Sequence, residues 1–418
     1  MWTFKQTHVK PLQAAADSFK AKTGITVNVS AYTPDDTFKS KIMSAASTKN
    51  LADVLEVHAA GEDFVLGGAG ILADLKPSVT DDWKGRFLAT TADSGLVTAD
   101  RYERSLKPKA ADAGIRTGQL FSVPFTSGTF GIVYASKAKL AAAGLDPAEP
   151  PATWAELLSW LRATTAKDAQ AGGITLGLKA SSTGFNWALQ PLAYAYLGKE
   201  RYQALFGKDA AKAWGSPDAE KVLALYDQLT PYWTPGSQTL GIDDADRAFA
   251  QGKSAFVIGG TFTMAAIQQN GMSPGDLVAF GLPAAQDGSV KELKLAPIAL
   301  TGLSLSAQTR KQEAAVQWMD YLTTTEQAGQ FAKASLDLPG VDLGDRAAQL
   351  LGPELASLQR VFAAPGANTY DPADVTFQSP TYDPVIAGDT LVKLSPLRQD
   401  TPAATNRQLG TIVADSWK

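Results

Sequence analysis

The sequence predicts an α/β fold made of two or three domains. Strand-like and helix-like segments alternate along the chain, the pattern of layered α/β proteins. The 418 residues, at roughly 150 per domain, exceed a single ordinary domain. Hydrophobic residues make up 45% of the chain and charged residues 19%, enough apolar material for large cores and without the composition of a disordered protein.

Leu12, Ala15, Ala16 and Phe19 fall at i, i+3, i+4 and i+7, one face of a helix that Thr23-Gly24 ends. Ile25, Val27 and Val29 alternate with Thr26 and Asn28 as a short strand. Pro34 and Asp35-Asp36 open a second helix carrying Phe38, Ile42 and Ala45, and residues 53–57 read as a second strand. Residues 62–66 form a short helix before a glycine-rich turn. Residues 77–118 have weak periodicity and many charges, as surface helices and loops do. Residues 118–125 become extended, and 131–135 form a strand. Ser136 opens a helix that stops at Gly144. Thr153 and Glu156 make a capping box, and Ser216-Pro217 is an N-cap followed by proline at the first helical position. Residues 254–258 and the pair Leu303 and Leu305 are strand-like. Ala314, Ala315, Trp318 and Leu322 mark a further helix face. Proline and glycine recur from 337 to 400, with helices such as 344–362 between them.

The residue inventory excludes several chemistries. The formal charge is −4 and the pI about 5.4, so a nucleic-acid partner is not expected. The absence of cysteine excludes disulfides, thiolate zinc and cysteine catalysis. With His8 and His58 as its only histidines, the chain offers two candidates for the base of a Ser-His-Asp triad. Gly252-Lys253-Ser254 resembles the end of a phosphate-binding loop, but Arg247 stands where that loop requires glycine. An EF-hand counted from Asp244 meets Phe249 and Ala255 where glycine and glutamate are needed. No metal or cofactor is expected. Glycosidase chemistry needs two facing carboxylates, and no motif singles out a pair among the 42 acidic residues. The longest uncharged stretch, 254–275, holds four glycines and Gln268, Gln269 and Asn270, a poor membrane span. Met1 leads straight into Trp2-Thr3-Phe4 with no basic or apolar leader, and reads as an initiator ahead of a mature sequence.

Several motifs, taken in order, resemble one family. They are Phe19 to Val27, Ala52-Asp53-Val54, Gly70 to Leu75, Val123-Pro124, Val133-Tyr134, Gly144 to Pro147, Thr153 to Leu158, Asp244 to Phe256 and Lys311 to Gln327. The family is the extracellular solute-binding proteins of ABC sugar importers, of the maltose-binding type. The resemblance covers about residues 2 to 335 well and the remainder loosely. It implies the two-lobe periplasmic-binding-protein fold (type II, maltose-binding-like) with a hinge and an interlobe ligand cleft that closes on its cargo. Crossings are expected near Val123-Pro124, Gly259-Gly260 and Leu303. They give an N-terminal lobe of 1–123 plus 260–303 and a C-terminal lobe of 124–259 plus 304–418.

A sugar presents an apolar C–H face and a rim of hydroxyls, so its site needs aromatic platforms and polar groups around them. The resemblance points to Trp187, in a loop entering a helix, as a stacking residue. Phe262 stands where the family has tryptophan. Trp233 lies in a loop before Pro235-Gly236, and Tyr382 lies near a further aromatic platform of the family. The polar candidates are Gln6, Thr7 and His8 after the first strand, and Glu56, His58 and Glu62 at the second. Ser127 follows the first crossing, and Thr301 and Gly302 sit at the third. His58 gains weight from its place at the C-terminal end of a strand, where open α/β sheets bind ligands. The family often has an acidic residue in the stretch of Ser127 and Thr129, and none is present here.

The reading that follows is a non-enzymatic, extracytoplasmic carrier, periplasmic or lipid-anchored. It is expected to act as a monomer, to bind a neutral mono- or oligosaccharide, and to deliver it to membrane-embedded ABC permease subunits. Behind it stand the same fold binding a polyol, a phosphorylated polyol, a peptide or a chelate, and last a carbohydrate hydrolase.

Overall fold

A computed structural model describes residues 1–33 and 35–418, without the side chains of Asp35 and Asp36. Its strands are β1 (Trp2–Thr3), β2 (Ser30–Ala31), β3 (Val54–His58), β4 (Val123–Gly128), β5 (Phe130–Ser136), β6 (Ile174–Thr175), β7 (Phe256–Gly260), β8 (Leu277–Gly281), β9 (Lys294–Leu295), β10 (Ile298–Leu305) and β11 (Thr369–Tyr370). The chain packs as two compact units. One holds Met1–Gly128 and Pro297–Ala356, the other Thr129–Ala296 and Ser357–Lys418.

The first unit is built on a five-stranded sheet of order β2-β1-β3-β10-β4. β1 pairs in parallel with β2 and β3, while β10 runs antiparallel to both β3 and β4. Helix α1 (Gln6–Thr23) buries the expected stripe of Leu12, Ala15, Ala16 and Phe19. Gly24 ends it in the left-handed region at φ 76°, its N–H bonded to the Lys20 carbonyl. The strand expected at residues 25–29 shrinks to β2. The alternation of half-buried and exposed positions is present, but pairing starts only at Ser30, because β1 offers two residues to pair with. Helix α2 (Asp35–Ser47) buries Phe38 and Ile42 against Leu55, Val57 and Phe64. Pro34, expected to open it, lies outside the described residues. Helix α3 (Glu62–Gly68) follows β3 as expected. The helices Gln312–Leu322 and Thr325–Ser335 also belong here, with Phe19 packing at 5.3 Å from Trp318 and 5.1 Å from Tyr321.

The second unit has a four-stranded sheet of order β6-β7-β5-β8, with β5 antiparallel to both β7 and β8, and a two-stranded β9-β11 ribbon. Its core gathers Trp154, Leu161, Phe185, Trp214, Tyr226 and Phe256. Each such side chain contributes about 1.5–3 kcal/mol through burial. Thr153 and Glu156 form the capping box of the helix Trp154–Lys167, and Ser216 caps the helix Pro217–Asp227 with proline at its start. The stretch around Trp187, expected as a loop, is instead a single π-helical turn, Gly184–Leu189, running into the helix Gln190–Leu197.

The division between units differs from the expected boundaries at 123, 260 and 303. Residues 260–296 belong with the second unit, since Gly260 pairs with Phe130 and β8 pairs with β5. Residues 304–356 belong with the first, since Ser304 and Leu305 pair with Leu55 and Val54. The chain passes between units after Gly128, Ala296 and Ala356. Two of these lie five to seven residues from expected crossings, and the third, expected near Gly259-Gly260, falls about a hundred residues later.

Candidate functional site

In the first unit, β1 and β3 run in parallel, and β3 continues to His58, about two residues beyond the end of β1. At that end the His58 ring stacks on Phe4 with centroids 4.3 Å apart and planes 25° apart. His58 Nδ1 lies 3.1 Å from Glu62 Oε2, which also accepts the His58 backbone N–H at 3.2 Å. The His58 side chain is 46% exposed, so this ring presents an edge to solvent while Phe4 holds its face. Gln6 is exposed and Thr7 half-buried at the start of α1. Gln6, Thr7, His58 and Glu62 thus lie near the carboxyl end of parallel strands, the end at which open α/β sheets bind ligands.

The other polar candidates of this unit are corrected. His8 and Glu56 are fully enclosed. His8 Nδ1 lies 3.0 Å from the Glu56 carboxylate, and Nε2 lies 3.2 Å from Asp337 Oδ2. Lys5 Nζ closes the group at 2.5 Å from Asp337, and Thr3 donates to Glu56 at 2.6 Å. These four groups hold α1, β3 and the segment after Ser335 together through His8, Glu56 Oε2 and Asp337 Oδ2, so His8 and Glu56 are taken up inside the fold. Ser127 and Thr301 are also buried. Ser127 donates to the Pro339 carbonyl at 2.7 Å, and Thr301 shares a 2.8 Å bond with Thr126. Gly302 serves packing, because a Cβ there would stand 2.6 Å from the Ser122 side chain.

Asp63, the second residue of α3, is buried beside this edge. It accepts from Ser122 Oγ at 2.6 Å and from the N–H groups of Gly61 and Phe64, both at 2.9 Å. Burial outweighs these bonds and pushes its carboxyl up to about 6. A carboxyl raised from its unfolded value near 3.8 binds more protons in the folded state, so stability falls as pH climbs from about 4 to 6 and stays at the lower level above. A tenfold difference in proton affinity between the folded and unfolded chain is worth about 1.4 kcal/mol. Asp63→Asn keeps the shape without the charge. It is expected to raise the urea midpoint at pH 7.5 and to leave it unchanged near pH 3.5.

In the second unit three rings meet where β5 begins and β7 ends. Phe130 lies flat on Trp187, with centroids 4.9 Å apart and planes 1° apart. Phe262 meets both edge-on, 6.0 Å from Trp187 and 6.3 Å from Phe130. Trp187 is 7% exposed, whereas Phe130 and Phe262 are half-buried. The expected pair Trp187 and Phe262 thus comes together, joined by Phe130, which the sequence reading did not single out. Its signal was the glycine after it, Gly131, at the head of an apolar strand.

The remaining aromatic candidates lie elsewhere. Trp233 is a core residue, its indole N–H donating to Ser395 at 2.8 Å. Tyr382 packs against Phe206 at 5.6 Å, and burial pushes its hydroxyl well above the usual phenol range. Neither belongs to the three-ring group. Among the described residues no group of three or more His, Asp or Glu could hold a metal ion, and no helix is long and apolar enough to cross a membrane.

Comparison with known proteins bears on these geometries. No curated protein matches the chain. Solved structures match over nearly its whole length. A protein studied for xylan utilization by the thermophile Caldanaerobius polysaccharolyticus is 19% identical, with a TM-score of 0.75 and 98% of each chain covered. An ABC transporter solute-binding protein of Thermotoga lettingae bound with tagatose is 17% identical, with a TM-score of 0.70, 100% of this chain and 98% of that one covered. The maltotriose-binding protein of Thermus thermophilus is 18% identical, with a TM-score of 0.68, 100% of this chain and 99% of that one covered. At these identities the likeness establishes the fold, the two-lobe α/β architecture of such binding proteins. A family profile described as bacterial extracellular solute-binding protein matches residues 14–342, and the chain belongs to that family, whose members bind solutes rather than transform them.

Proposed function

We propose that this protein captures a neutral sugar outside the cytoplasm and delivers it to ABC permease subunits in the membrane. The observation that carries the reading is the three-ring group of Phe130, Trp187 and Phe262. A part-exposed aromatic surface on a sheet end suits the apolar C–H face of a sugar ring. Within the first unit, Gln6, Thr7, His58 and Glu62 are hydrogen-bonding groups of the kind that suits hydroxyls. Structurally similar proteins carry tagatose, raffinose and maltotriose, and another is a chitin-oligosaccharide binder, which supports a carbohydrate cargo. A phosphorylated cargo would call for Arg or Lys, and Lys5, the cation nearest these candidates in sequence, is paired with Asp337. The protein acts as a monomer, periplasmic or lipid-anchored, and lobe closure around the sugar is the signal that the permease reads.

Thermal unfolding against mono-, di- and oligosaccharides tests this. A ligand that binds only the folded state, at about 100 times its dissociation constant, stabilises by about 2.7 kcal/mol. An upward shift confined to one sugar series is expected. A shift with peptides, polyols or chelates and none with sugars would replace the cargo.

A further inference from the structure

We propose that Phe130, rather than Trp187, offers the face on which the sugar stacks, with Trp187 as the positioning residue behind it. This rests on the sugar-binding reading above. Trp187 is nearly enclosed, and one face of its indole is covered by the Phe130 ring. Phe130 is half-buried with one face flat on Trp187, so the surface it shows to solvent belongs to its opposite face and rim.

Two local irregularities converge to build this stack. The β5–β7 register slips between Phe130 and Ile132, a bulge at Gly131. Gly131 sits at φ +83°, and a Cβ there would stand 2.9 Å from the Trp187 carbonyl oxygen, so glycine is required for both its angle and its space. Such bulges re-aim a side chain, here the neighbouring Phe130. On the other side, Trp187 is carried by the π-helical turn Gly184–Leu189, a rare conformation that frequently occurs at functional sites. Together they set the two rings 4.9 Å apart with planes at 1°.

The flanking residues carry the same mark. Thr129 and Thr261, adjacent in sequence to Phe130 and Phe262, are joined by a 3.1 Å bond from the Thr261 N–H to the Thr129 carbonyl. Both hydroxyls are fully buried and have no hydrogen-bond partner among the described residues. Buried hydroxyls left without a partner are uncommon and call for an explanation. A benzene face supplies no donor, so Phe130 would select for the C–H surface of the sugar, and specificity for hydroxyl pattern would come from its surroundings.

The test measures affinity by calorimetry for wild type, Phe130→Leu, Phe130→Tyr and Trp187→Phe. The probes are raffinose, maltotriose, tagatose and xylo-oligosaccharides. Phe130→Leu removes the flat ring and is expected to weaken binding roughly tenfold, about 1.4 kcal/mol, whereas Phe130→Tyr and Trp187→Phe keep affinity within a few-fold. If Phe130→Leu fails to fold, wild type labelled with 4-fluorophenylalanine replaces it. The ¹⁹F signal lost in Phe130→Tyr assigns Phe130, and it must shift on sugar addition. Unchanged affinity in Phe130→Leu, or an unmoved Phe130 signal, would overturn the assignment alone. Tighter binding by Phe130→Leu would also overturn it, showing that Phe130 occupies the place of the sugar on Trp187. Wild type that binds none of these sugars would overturn both this assignment and the sugar-binding reading.

Discussion

Asp337→Ala is expected to lower the unfolding free energy by about 3–5 kcal/mol, the cost of leaving buried opposite charges without a partner. Asp337 is 1% exposed and faces Lys5 and His8, while His8 faces Glu56 with its other nitrogen. With His8 protonated the four groups carry two positive and two negative charges. Burial opposes the imidazolium, but the Glu56 charge and the hydrogen bonds of Asp337 and Glu56 outweigh it, and the net effect raises the pKa of His8. Burial likewise opposes the Glu56 and Asp337 carboxylates. The His8 charge prevails at Glu56, and the Lys5 charge and the His8 bond prevail at Asp337, so both pKa values fall. The His8 contribution is complete below its unfolded value near 6.5 and is lost as pH rises through the folded value. The carboxylate contributions are complete above 4.5 and 3.8 and are lost as pH falls through the folded values. The gap between wild type and Asp337→Ala should therefore be widest between about pH 4.5 and 6.5. Urea unfolding at pH 5.5 and 9 measures it. A gap that widens from pH 5.5 to 9 would contradict a charged His8 in the group.

Trp187→Ala is expected to cost about 3–5 kcal/mol of stability, the usual range for truncating a large buried aromatic, and to abolish sugar binding with it. The indole is 7% exposed and sits in the main core of the second unit while supporting Phe130. Removing it leaves a cavity and takes away the surface on which Phe130 lies. Loss of binding in this variant alone would therefore not show that the sugar touches Trp187. Denaturant unfolding of the variant alongside its calorimetric titration gives both numbers. A variant of wild-type stability would contradict the packing role.

The parts of this structure that were legible in the sequence are those set by local chemistry. The α1 stripe, the Thr153–Glu156 capping box and the Ser216-Pro217 helix start each depend on residues within two turns of one another. What depended on distant partners was not legible. The alternation at Ile25, Val27 and Val29 describes a real in-and-out pattern, yet the strand fails because its neighbour is only Trp2–Thr3. The strands at 256–260 and 298–305 were recognisable in part and that at 277–281 was not, and which sheet each would join depends on pairing across more than a hundred residues. The site shows the same division. His58 was legible from its place at a strand end. His8 and Glu56 looked equally polar, but the buried Asp337 that claims His8 lies 329 residues away. Phe130 escaped notice because its orientation comes from a bulge and a π-turn, neither of which leaves a periodic signature.

The most direct test of sugar capture is a calorimetric titration of the purified protein with raffinose, maltotriose, tagatose, chitin oligosaccharides and xylo-oligosaccharides, with peptides and polyols in parallel. Saturable one-to-one binding of one sugar series, absent for peptides and polyols, is the predicted result. Heat of binding for a peptide or polyol, with every sugar silent, would contradict it.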